Sequence, residues 1–71
     1  MIITRTKNAY LSILFPEHQE DIEAPFELKC EEGFYLVKGM QENLEVEMIL
    51  PSDIGCYFEI RTLPTSITEK N

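Results

Sequence analysis

The chain has 71 residues, with thirteen acidic side chains against six basic ones and a formal net charge of −7. A chain this short makes one domain and buries only roughly 60% of its unfolded surface, which argues against a hollowed catalytic interior. The charge has the wrong sign for gripping nucleic-acid phosphates or an anionic membrane, since both interactions depend on Lys and Arg.

A hydrophobic content of 44%, with four Phe and three Tyr, is that of a folded chain rather than a disordered one. Two cysteines are too few for the disulfide framework of a small secreted domain. No stretch reaches the ~18–20 apolar residues of a membrane span. The opening Met1-Ile2-Ile3-Thr4-Arg5 lacks the basic-then-apolar order of a secretory leader. A reduced, cytoplasmic protein is expected.

In chain order, Ile2–Thr6 is rich in β-branched residues and reads as a strand. Tyr10–Phe15 alternates, with Leu11, Ile13 and Phe15 on one side, and is expected to pair with it as a hairpin about Lys7-Asn8. The same run also fits a short helix capped by Asn8, because periodicity does not arbitrate short apolar runs. Pro16 ends the run, and Glu17–Glu23 is expected to form one helical turn with its acids near the favourable end of the helix dipole.

Four alternating strands follow between Pro25 and Pro64: Phe26–Cys30, Phe34–Lys38, Leu44–Leu50 and Cys56–Leu63. Loops of three, five and five residues, each with a glycine, suit hairpins between them. Under those loop lengths Leu28, Leu36, Val46, Met48, Phe58 and Ile60 share one inward face. The opposite face then carries Tyr35, Val37, Glu45, Glu47, Ile49, Tyr57, Glu59 and Arg61, with Glu45 across from Arg61 and Glu47 across from Glu59. The expected fold is all-β, a small antiparallel barrel or sandwich built on a four-stranded meander. The alternative is α+β, with the Asn8–Phe15 helix lying across the sheet. Residues 1–64 make the domain, and the polar residues 65–71 are expected to form a flexible tail.

Reaction chemistry is hard to place on this chain. His18 is the single histidine, and Cys30 and Cys56 fall on the apolar face, so zinc would have only carboxylates near His18. No nucleophile has a base and an orienting group at a meaningful spacing. Gly33, Gly39 and Gly55 are isolated turn glycines, not a phosphate-binding loop. Neither an enzyme, a metal nor a cofactor is expected.

Two surface features remain. The segment Glu17–Glu32 carries seven carboxylates against Lys29 alone, and the outer sheet face sets tyrosines among glutamates. Tyrosine beside carboxylate suits the gripping of Arg and Lys side chains. The expected partner-binding residues are Glu17, Glu20, Asp21, Glu23, Tyr35, Glu45, Glu47, Tyr57 and Glu59. The expected function is a non-enzymatic module that binds a basic protein partner, for instance an inhibitor occupying the nucleic-acid channel of an enzyme, without binding nucleic acid itself. The alternative is a structural protein that forms homo-oligomers through its sheet edges or through outer apolar residues such as Val37, Ile49 and Leu63.

Overall fold

The computed structural model describes residues 1–63, which form six strands and no helix: β1 (Ile2–Arg5), β2 (Ala9–Leu14), β3 (Gln19–Glu31), β4 (Phe34–Gln41), β5 (Leu44–Pro51) and β6 (Tyr57–Thr62). All pairings are antiparallel. The all-β expectation holds, and the α+β alternative falls because Ala9–Leu14 is a strand. The expected tail, 65–71, lies outside the described residues.

The thirteen-residue β3 is the spine of the sheet. Its first part pairs with β2, from Leu14↔Gln19 to Tyr10↔Glu23, and its second with β1, from Arg5↔Phe26 to Ile2↔Lys29. β1 and β2 therefore run along β3 as one broken strand, and the expected hairpin between them does not form. Five steps of chain separate Arg5 from Tyr10 where β3 spends three between Phe26 and Glu23, so the chain steps out around Asn8 at φ 60°. Asn tolerates that left-handed conformation without a glycine. The reversal into β3 comes later, where the Phe15 N–H donates to the His18 carbonyl at 2.9 Å. The expected helical turn at Glu17–Glu23 is also corrected. From Gln19 the chain is strand, because Ile22 packs fully buried while its neighbours Asp21 and Glu23 face solvent.

On the other edge of β3 the sheet continues through β4 to β5. Both connections are tighter than the sequence suggested. Glu32-Gly33 joins Glu31 to Phe34, and Glu42-Asn43 joins Gln41 to Leu44. Glu42 and Asn43 both have positive φ, 52° and 67°, as the favoured two-residue hairpin turn requires. The shorter turns place Leu28 opposite Val37 and Val37 opposite Met48. A one-residue slip exchanges the faces of a strand. Val37 and Tyr35 consequently turn inward and Leu36 outward, the reverse of the expected assignment. Leu28, Val46, Met48, Phe58 and Ile60 keep their inward positions in or against the core.

The fourth strand of the expected meander goes elsewhere. β6 pairs with β2, not β5, so the strand order is β5-β4-β3-β2-β6 with β5 and β6 as edges, and the barrel is not closed. Pro51 lies level with Glu31 through Phe34, and Tyr57 lies level with Gln19 through Leu14. Were β3 straight, those levels would be ~40 Å apart. The chain from Pro51 to Tyr57 reaches ~20 Å at most.

β3 must therefore fold back on itself. The crease lies between Glu23 and Glu27, where its register with β4 shifts and Pro25 offers no N–H to the ladder. Across the fold Tyr35 of one half meets Phe58 of the other edge-to-face, ring centroids 5.0 Å apart. The core between the halves is Ala9, Leu11, Ile13 and Ile22 against Phe26, Leu28, Val37 and Leu50.

Candidate partner-binding site

The folded sheet presents two outer faces. On the β3–β2–β6 half, register aligns Glu23, Tyr10 and Arg61 in one row, Asp21, Ser12 and Glu59 in the next, and Gln19, Leu14 and Tyr57 in a third. Period-two alternation turns this set away from Leu11, Ile13 and Ile22 once those are committed to the core, with Ser12 fully buried beneath its neighbours.

Asp21 is held in place by its neighbours. The fully buried Ser12 hydroxyl donates to its Oδ1 at 2.9 Å, and Gln19 Nε2 donates to the same oxygen at 2.9 Å. Arg61 is occupied by Glu59 on its own strand, leaving Glu23 without an ion pair among the described residues. Both members of that Arg61–Glu59 pair are about half exposed, so the bridge contributes little stability.

Beside this face is a concavity of about 440 Å³ lined by Glu20, Asp21, Glu23, Gln41, Glu42, Leu44 and Val46. Four of these residues are acidic and none is basic, with Asp21 reached from this side through its backbone carbonyl. Gln41 fixes its floor, donating from Nε2 to Glu20 Oε1 at 2.9 Å and to the Asp21 carbonyl at 3.2 Å. The other Glu20 oxygen lies 3.5 Å from His18 Nε2, whose ring stacks on Phe15. The crease of β3 and the tight Glu42-Asn43 turn together create the site, by bringing the β4–β5 hairpin tip beside the first half of β3.

Of the nine residues expected to bind a partner, Glu20, Asp21 and Glu23 come together here. Glu59 and the 76%-exposed Tyr57 lie on the adjoining face. Glu17 stands apart in the β2–β3 turn. Glu45 and Glu47 belong to the other half, opposite Met40 and Lys38 rather than Arg61 and Glu59, because β5 and β6 do not pair. Tyr35 is an inward residue, spent on Phe58. Glu42 and Gln41 join the site although the sequence expectation includes neither; their signal is Glu42-Asn43 as a two-residue turn.

Among the described residues no three His, Cys, Asp or Glu side chains are grouped to hold a metal. Cys30 and Cys56 are free thiols, and burial pushes the Cys56 thiol above its ordinary pKa despite an opposing backbone hydrogen bond. No helix among the described residues is long and apolar enough to cross a membrane. No known protein family, no curated protein and no solved structure matches this chain.

Proposed function

We propose that this protein is a non-enzymatic binding module for a basic protein partner, gripping Arg or Lys side chains in the concavity bounded by Glu20, Asp21, Glu23 and Glu42. The observation that carries this reading is that four acidic residues and no basic one line that concavity. A guanidinium donates to carboxylates in a planar fork, and Glu20 is already oriented by a neutral donor, Gln41. Tyr57 on the adjoining face adds an exposed ring on which a cation can stack. An inhibitor of a nucleic-acid-handling enzyme is the concrete form, with carboxylates standing where phosphates would lie. The net charge of −7 speeds such an encounter and makes it sensitive to salt.

The test compares two triple variants with the same change in charge, E20Q/E23Q/E42Q in the concavity and E17Q/E31Q/E32Q outside it. The wild type and the second variant should retain basic proteins from a lysate at low salt and release them as salt rises. The first variant should retain none. Equal loss in both would reduce the effect to net charge, and a wild type that holds nothing basic at low salt would refute the reading.

A further inference from the structure

The outer face of the other half of the sheet has a different character. Register places Ile49, Leu36, Lys29 and Ile2 in one row across β5, β4, β3 and β1. The next row holds Glu47, Lys38, Glu27 and Thr4. Ile49 and Ile2 are 68% and 58% exposed. Lys38 stands between Glu27 and Glu47 yet makes no ion pair among the described residues. This face mixes both signs of charge around apolar side chains, whereas the charged residues lining the concavity of the first half are all acidic.

We infer that this mixed face is the contact surface of a symmetric dimer, its occupant a second copy of the chain. The inference stands apart from the binding of a basic partner, which uses the opposite half. In a two-fold dimer one patch meets itself, so each contact occurs twice. An axis parallel to the strands, between β3 and β4, lays β4 of one copy over β3 of the other. Lys38 then meets Glu27 of the second copy, and Glu27 meets Lys38 of the second copy. In the neighbouring row Ile49 meets Ile2 in both directions, and Leu36 covers the aliphatic stem of Lys29.

Other arrangements fit worse. An axis across the strands, through the apolar row, would stack Lys38 on Phe34 and Glu27 on Glu31, burying a lysine without a partner and opposing like charges. On the other half an axis along β2 would set Glu23 against Arg61 of the second copy but Asp21 against Glu59, opposing like charges. On the mixed face neither row opposes like charges.

Light scattering over a concentration series tests the proposal. The wild type should rise from one chain mass to two. I49K changes an exposed position that the core does not use, and should weaken association at least about a hundredfold, since the lost apolar contact occurs twice. K38E should also weaken it, by setting a carboxylate against Glu27 of the second copy, while the exchange E27K/K38E should restore the dimer. Thermal melts of each variant confirm that the fold is kept. A wild type that stays at one chain mass at its highest soluble concentration overturns the proposal. So does a dimer that survives I49K and K38E, which would place the contact at a sheet edge.

Discussion

A Cβ atom on Gly39 would sit 2.1 Å from Cγ2 of Ile22, so β4 crosses the crease of β3 with no room for a side chain. The Phe26 Cβ and the Glu23 carbonyl close the same space at 3.0 and 3.2 Å. This close approach lets the sheet fold over its own core. It identifies Gly39 as a packing glycine, where the sequence suggested only a turn.

Gly39→Ala should therefore destabilise the protein by about 1–3 kcal/mol, through overpacking rather than backbone strain. A core of this size rarely supplies more than ~3–5 kcal/mol, so the variant should be partly unfolded in mild urea. An unchanged urea midpoint would mean that β3 and β4 do not approach so closely.

The fold-over itself can be tested through Tyr35 and Phe58, which lie on strands that are not neighbours in the sheet. A double-mutant cycle with Y35L and F58L should show a coupling of about 0.5–1.5 kcal/mol. Were the sheet extended, the two rings would be too far apart to couple and the effects would simply add.

Ser12 and Asp21 should respond unequally to truncation. Asp21→Ala strands a fully buried hydroxyl without its acceptor and should cost about 1–3 kcal/mol. Ser12→Ala removes the buried polar group and leaves Asp21 with Gln19 and water, so its cost should be smaller. Chemical denaturation of the two variants side by side decides the order.

Burial raises the Cys56 pKa above its unfolded value, so the native state holds this proton after the unfolded chain has released it. The stabilisation is full below the unfolded thiol pKa and is lost as pH climbs through the higher folded value. Stability should fall across that alkaline window in the wild type and fall less in C56A. Alkylation of Cys56 in the folded protein should likewise need a higher pH than alkylation of a free thiol.

The candidate site was legible in part. Glu20, Asp21 and Glu23 were recognisable as a dense acidic run, and their place on a strand leaves Ile22 as the inward residue among them. Glu42 was hidden because Gly39–Asn43 read naturally as one long loop. Gly39, Met40 and Gln41 are instead ladder residues, and the turn is only Glu42-Asn43. Tyr35 shows the same ambiguity from the other side: a three-residue first loop turns it outward, whereas the two-residue Glu32-Gly33 turn directs it inward.

The sequence by itself determined that this chain is acidic, strand-forming and divided by alternation into apolar and polar sets, because a period of two is a local property of each strand. It could not determine which of two adjacent residues begins a turn, and one residue decides the face of everything that follows. Nor could it assign β6 to β2: the alternation of Tyr57–Thr62 suits any neighbouring edge. That choice was made by the crease in β3, where Gly39 lets the halves close and Phe58 reach Tyr35.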